Sequence, residues 1–275
     1  MKLHFRRVFG SVLAGTLLAL SGSPAIADDC QCPAGRGTYV GIFGGGGSGS
    51  VDTVTQSGTA LLPDAAGGPL AVSAAGNGDS HGVGLVGVHI GHEWAGRSLG
   101  SDGWRLLPAF EFEGFYLGGT QRANIDNITT RLPQHNFDVT LPMDTGVFLT
   151  NAVFSFAAPG RRFNPYVGAG IGAAGISISG ADSLQLAPLE AGVNHFNSGT
   201  DSSCWGFAAQ AKVGVRLPLS ERFYLFGEYR LLYVGSTTYN FGSTVSPGHV
   251  PTTPWNVHLS DSFNHVGVAG IGFSF

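Results

Sequence analysis

Charge is scarce in this chain. Only 12% of its residues are Asp, Glu, Lys or Arg, whereas a soluble domain carries roughly 25–35% charged residues on its surface alone. Long apolar runs are missing as well. After residue 27 none approaches the ~20 residues of a membrane-spanning helix. Cysteine is limited to Cys30, Cys32 and Cys204. A single C-x-C without a second pair is not a zinc-ribbon pattern, and Ala27-Asp28-Asp29 ahead of Cys30 is not a lipid-attachment sequence. The glycine-rich stretch Gly44–Gly49 has no Gly-Lys-Ser/Thr ending, so it is a flexible segment and not a phosphate loop.

What is present is glycine, at 44 residues, and 43% hydrophobic residues. The first residues read as a secretory signal. Lys2, Arg6 and Arg7 precede an apolar segment, Val8 to Leu20, and Ala25-Ile26-Ala27 is a small-x-small site, which puts cleavage between Ala27 and Asp28. The mature chain, residues 28–275, then has 14−3 = 11 basic against 18 acidic residues, a net charge of about −7. A chain of that sign with scattered cations does not suit nucleic acid. Helices and closed barrels are the two ways to satisfy backbone groups in hydrocarbon. An exported, glycine-rich, low-charge chain without a spanning helix therefore points to a barrel.

Eight strands are predicted, at about Thr38–Gly45, Gly82–Trp94, Trp104–Leu117, Asp144–Ala157, Pro165–Ser179, Trp205–Pro218, Phe223–Tyr239 and Ser262–Phe275. Long and short connections alternate. Those from Gly46 to His81, Gly118 to Met143, Gly180 to Cys204 and Asn240 to Asp261 are long and are expected to form mobile surface loops; the other three are short turns. Outer-membrane barrels have long extracellular loops and short periplasmic turns. The fold class expected is an all-β, eight-stranded, antiparallel, up-and-down transmembrane β-barrel.

Side chains on a strand alternate between faces. One face of each strand is apolar: Phe110, Phe112 and Tyr116; Trp205, Phe207 and Val213; Phe223, Leu225 and Tyr229; Phe263, Ile271, Phe273 and Phe275. The other carries glycines and a few charges. Too few charges for a solvated surface, and many small residues, put that face inside a narrow lumen. Glu111, Glu113 and Glu228 then meet Lys212, Arg216 and Arg230 there. Buried charges must pair, since desolvating one alone costs several kcal/mol as an order of magnitude, so a salt-bridge network plugging the lumen is expected. Trp94, Trp104, Trp205, Phe223, Tyr239 and Phe275 sit near strand ends, as interfacial aromatics do.

Three stretches carry a resemblance: Phe163-Asn164-Pro165-Tyr166-Val167-Gly168-Ala169-Gly170-Ile171-Gly172, then Gly214-Val215-Arg216-Leu217 turning into Phe226-Gly227-Glu228-Tyr229-Arg230, and the closing Val266 to Phe275. With these the chain resembles the outer-membrane protein β-barrel family, the small OmpA-transmembrane-domain-like and opacity-type surface proteins. The resemblance implies the bacterial outer membrane, its lipids as surroundings, and recognition of Phe275 by the barrel-insertion machinery. It leaves the activity open. The role expected is non-catalytic, in envelope structure or in contact with a surface ligand or host through the loops, with no cofactor and no metal. A small porin-like channel, a lipid-modifying enzyme and a soluble lipocalin-like binder are the alternatives.

The histidines bear on those alternatives. His89 and His92, three apart on a strand, face opposite sides and cannot share a metal. His81, His135, His195, His249 and His258 fall in the long connections, where no ligand spacing marks a site, and a loop metal site drawing on several of them is a minor alternative. His258-Leu259-Ser260-Asp261 offers a His-x-Ser pair and a carboxylate for lipid deacylation. If Phe275 faces lipid, however, the parity of the last strand turns His258 and Ser260 inward. Cys204 falls at the barrel end opposite Cys30 and Cys32, too far for a disulfide; free thiols are expected, with a strained local Cys30–Cys32 bridge as the alternative.

Overall fold

The computed structural model describes residues 36–101, 103–127, 129, 135–159 and 163–275. The signal segment with its Ala27–Asp28 cleavage point, and Cys30 and Cys32, lie outside the described residues. The described chain runs through β1 (Gly37–Val51), β2 (Val54–Ala60), β3 (Leu70–Gly76), β4 (His81–Glu93), β5 (Arg97–Leu99), β6 (Trp104–Asn127), β7 (Asn136–Ala157), β8 (Asn164–Ile178), β9 (Asp182–Ala187), β10 (Ser202–Pro218), β11 (Phe223–Val234), β12 (Thr237–Phe241), β13 (Trp255–Leu259) and β14 (Ser262–Ser274).

Eight of these close a ring. In order around it stand β1, β4, β6, β7, β8, β10, β11 and β14, each antiparallel to its neighbours, and β14 returns to β1. The expected eight-stranded up-and-down barrel is borne out, and its ring has no unpaired edge. The turns between β7 and β8 and between β10 and β11 are short, the connection from β4 to β6 folds back through the three-residue β5, and the long connections all leave the opposite end.

The wall is apolar outside. Ile42, Val86, Phe112, Phe148, Ile171, Val213, Leu225 and Ile271, one from each ring strand, point outward and are 40–63% exposed. An apolar surface that continues around the whole molecule far exceeds the patches soluble monomers show. Hydrocarbon is the medium that suits it. On β6 the outward residues from Leu106 to Tyr116 are uncharged, and that stretch matches the roughly 9–11 residues with which a tilted strand crosses a bilayer.

Inside, glycines make room for rings. Tyr224 lies opposite Gly272 and Phe226 opposite Gly270 across the β11–β14 pairing. A Cβ at Gly272 would stand 2.1 Å from Tyr224 Cζ, and one at Gly270 would stand 2.3 Å from Phe226 Cζ. Tyr166 covers Gly214 in the same manner. The abundance of glycine on the inward faces thus has a packing cause: large rings can lie flat against the wall only where the neighbour lacks a side chain.

The long connections depart from the expectation of mobile surface loops: much of them is strand. β6 and β7 run past the ends of β4 and β8, pairing with each other up to Asp126 and Asn136. β3 then takes the place of β4 beside β6, and β9 that of β8 beside β7. β2, β13 and β12 continue β1, β14 and β11 upward and pair in the same order. Residues 194–200 bridge the remaining gap, with His195 N donating to Ser183 O at 2.9 Å and Gly242 N to Gly199 O at 2.7 Å. A second, outer tier therefore stands on the first.

Between the tiers three adjacent strands step. Inward residues are even on β14 (Asn264, Val266, Val268) but odd on β13 (Trp255, Val257, Leu259). The same flip separates β11 from β12 and β1 from β2. Each break, at 52–53, 235–236 and 260–261, disturbs the alternation by one residue, as a bulge does. Tyr239, expected among the interfacial aromatics, is consequently fully buried inside the outer tier. Trp94, Trp205, Phe223 and Phe275 are outward and exposed.

Candidate functional sites in the lumen and the outer tier

The lumen of the ring is filled by ion pairs. The structure brings together all six charges marked in the sequence and adds two, Arg36 and Glu93. The eight sum to four carboxylates (Glu93, Glu111, Glu113, Glu228) and four cations (Arg36, Lys212, Arg216, Arg230). Lys212 joins Glu111 closely and reaches Glu113 at 3.3 Å. Arg230 joins Glu113 closely and reaches Glu228 through Nε at 2.8 Å. Arg216 lies 3.2 Å from Glu93, which Arg36 also holds at 2.8 Å.

Neutral groups complete the network. Tyr39 donates to Glu111 at 3.0 Å, Asn151 and Gln210 donate to Glu113 at 3.1 and 2.9 Å, and Ser155 donates to Glu93 at 2.9 Å. Arg36 lies over the Tyr39 ring at 4.4 Å, Arg216 over Tyr166 at 4.1 Å and Arg230 over Phe43 at 4.2 Å. Such stacking recovers part of the desolvation cost of a buried guanidinium. His89 packs among Tyr39, Phe43 and Phe226, while His92 is outward, on opposite faces as strand alternation requires.

Strand positions give the pairs their geometry. Counting around the ring, β6 stands opposite β11, and β4 stands opposite β10. Arg230–Glu113 and Arg216–Glu93 therefore each span the full width of the lumen, at two heights. Lys212 braces the first of them from β10.

The outer tier is built on other chemistry. Phe137, His195, Phe196, Tyr239, Phe241, Trp255 and Val257 form its buried interior. Trp255 Nε1 donates to Thr244 Oγ1 at 3.0 Å, and Thr244 in turn donates to His195 O at 3.0 Å. A cavity of about 230 Å³ opens beside them, lined among others by His135, Glu190, His195, His249 and Trp255. Nε2 of His249 stands 3.4 Å and Nε2 of His195 3.8 Å from Glu190 Oε2. Burial, above all, holds the His195 imidazole below the ordinary histidine range.

Of the five histidines noted in the long connections, the structure thus gathers three, His135, His195 and His249. His81 begins β4 and borders a smaller space between the tiers, and His258 is outward on β13. Glu190 carries no signal in the sequence. It follows Pro188 and Leu189 in a turn segment without alternation.

The His258-Leu259-Ser260-Asp261 segment does structural work at the step. Ser260 Oγ accepts from Thr53 N at 2.9 Å, and Asp261 Oδ1 accepts from Ser236 N at 2.9 Å. His258 meets Thr238 Oγ1 at 3.1 Å. No hydrogen bond joins His258 to Ser260 among the described residues. The inward orientation expected for His258 from the parity of the last strand is also corrected, because the step at 260–261 reverses that parity. Cys204, at the outer end of β10, forms no disulfide among the described residues.

No family model and no curated protein matches the sequence. Solved structures similar to it include OprG from Pseudomonas aeruginosa, at 14% identity over 88% of this chain and 97% of that one, with a TM-score of 0.43. The protease OmpT from Escherichia coli is similar at 9% identity over 86% and 97%, with a TM-score of 0.36. The Neisserial surface protein A is similar at 14% identity over 88% and 99%, with a TM-score of 0.33. Strand pairing and facing by themselves establish a closed eight-stranded barrel, apolar outside and polar within, the architecture that the resemblance to the outer-membrane β-barrel family implied.

Proposed function

We propose that this chain is a non-catalytic protein of the bacterial outer membrane, with a lumen closed to ions and an outer tier that meets the cell's surroundings. The observation that carries the reading is the pair of ion bridges across the full width of the ring, Arg230–Glu113 and Arg216–Glu93. An ion or solute passing through would have to part both, and each parting strands a buried charge at a cost of about 3–5 kcal/mol. The apolar belt supports lipid as the surrounding medium, and the secretory signal expected at residues 1–27 supports export. Envelope structure and contact with a surface ligand or host are the roles such a protein has through its outer tier.

Purified protein reconstituted in a planar bilayer tests the closure. Little steady conductance is expected at moderate voltage. Stable channels in the unmodified protein, altered in size by Glu113→Gln, would establish the porin-like alternative instead. Heat-dependent gel migration tests the barrel: the folded form is expected to run anomalously until boiled, and the absence of any shift counts against a membrane barrel.

A further inference from the structure

We infer that the outer tier binds one divalent first-row transition-metal ion, with zinc the first choice, through Glu190, His195 and His249. The three donor atoms lie within 4.8 Å of one another. Their hydrogen bonds leave little else for them to do. His195 Nδ1 lies 3.0 Å from Ser183 O, and His249 Nδ1 lies 2.6 Å from Val250 O. A carbonyl oxygen only accepts, so each Nδ1 carries the proton and donates it. That is the outer-shell bond by which metal-ligating histidines are oriented.

A neutral imidazole has a single N–H. With it committed to a carbonyl, each Nε2 presents a lone pair, and both lone pairs face Glu190 Oε2, itself an acceptor. Glu190 Oε2 is buried and receives no hydrogen bond. Acceptors gathered around one point need a cation between them. A metal ion satisfies all three donors at once. Two imidazoles and a carboxylate form a set that suits zinc and its neighbours and leaves a position open. His135 borders the same cavity, and its Nδ1 is buried without a partner, which makes it the protein's own candidate for that position.

The site also has an architectural consequence. Glu190 and His195 come from the connection between β9 and β10, His249 from that between β12 and β13, and His135 from that between β6 and β7. An ion held there ties three connections together and stiffens the tier facing the medium, independently of whether the lumen conducts.

The test uses full-length protein folded in detergent, stripped with a chelator and titrated with Co²⁺. Uptake of one ion per chain is expected, with visible ligand-field absorption, quenching of tryptophan fluorescence through the nearby Trp255, and displacement by Zn²⁺. Glu190→Gln and His249→Ala should each weaken uptake at least as much as loss of an outer-shell partner does, roughly 10–100-fold. His92→Ala, on the outside of the ring, should leave it unchanged. Glu190→Gln preserves shape and decides the matter if His249→Ala loses the heat-modifiable folded form. No uptake by the unmodified protein, or uptake that Glu190→Gln and His249→Ala leave undiminished, overturns the inference.

Discussion

The ring and the outer tier are built on one continuous wall yet are inside-out relative to each other. Strand β6 shows this without any change of parity. Low on the strand, Glu111 and Glu113 point inward and Phe110 and Phe112 outward; high on it, Ala123 and Ile125 point inward and Arg122, Asn124 and Asp126 outward. β7 repeats the exchange, with Asn151 and Ser155 inward below and Phe137, Val139 and Leu141 inward above. A wall whose outward side changes from apolar to polar partway up has a different medium on each part: hydrocarbon around the ring and water around the tier. The boundary on β6 falls between Leu117 and Gln121.

The comparison can be broken most severely from inside the ring. Glu113→Ala leaves Arg230 facing the lumen without its cross-barrel partner, and loss of about 3–5 kcal/mol is expected, read as a lower urea concentration at which the heat-modifiable band disappears. Replacing Glu113 and Arg230 together should not restore it, because Glu228 then loses the guanidinium it pairs with; replacing Glu113, Arg230 and Glu228 together by similarly sized apolar residues should recover more, since Lys212 keeps Glu111. If Glu113→Ala alone unfolds no earlier than the parent, the network does not hold the ring together.

The change of medium is tested on a single strand. Phe112→Arg puts a cation in the belt and should cost about 2–4 kcal/mol near the bilayer midplane. Asn124→Arg, outward on the same strand but above the boundary, should fall within about 0.5 kcal/mol of zero, as surface substitutions do. Refolding yield into lipid vesicles against urea measures both. Equal effects at the two positions would mean that both face water.

Smaller again is the response of the packed rings. Gly272→Ala sets a Cβ against Tyr224 and should destabilise by about 1–3 kcal/mol through overpacking, with relief when Tyr224→Leu is introduced in the same chain. The outer tier, built from other strands than the β11–β14 pair that holds this contact, should keep its resistance to protease in any molecules that fold.

The two regions also differ in how far they could be read from sequence. The ring was legible because its eight strands are long and alternate apolar with small or charged residues. Parity alone then put Glu111, Glu113, Lys212, Arg216, Glu228 and Arg230 on the face that turned out to line the lumen. Glu93 was within reach of the same argument, since it shares a face with His89 and Gly91, whereas Arg36 precedes the first recognised alternation. The outer tier was illegible for a physical reason. Its strands are short, Thr237–Phe241 and Trp255–Leu259 among them, and the steps at 52–53, 235–236 and 260–261 cut their alternation off from that of the ring. Proximity of Glu190, His195 and His249 arises from closure of the tier, and spacing along the chain holds no trace of it.

Those steps give the mildest test and the one that bears on chemistry. Ser260→Ala removes the acceptor of the Thr53 N–H, a bond near the surface where water can substitute, so a loss of about 0.5–1.5 kcal/mol is expected. It should show as faster proteolysis of the outer tier while the ring keeps its heat-dependent migration. A nucleophilic Ser260 would behave otherwise. Cells overproducing the chain would then carry lipid A lacking an acyl chain, and Ser260→Ala would restore it without loosening the tier. The Thr53–Ser260 bond argues for the first outcome, because a hydroxyl that accepts from the backbone at a strand step, with His258 bonded to Thr238 instead, lacks the base that would activate it.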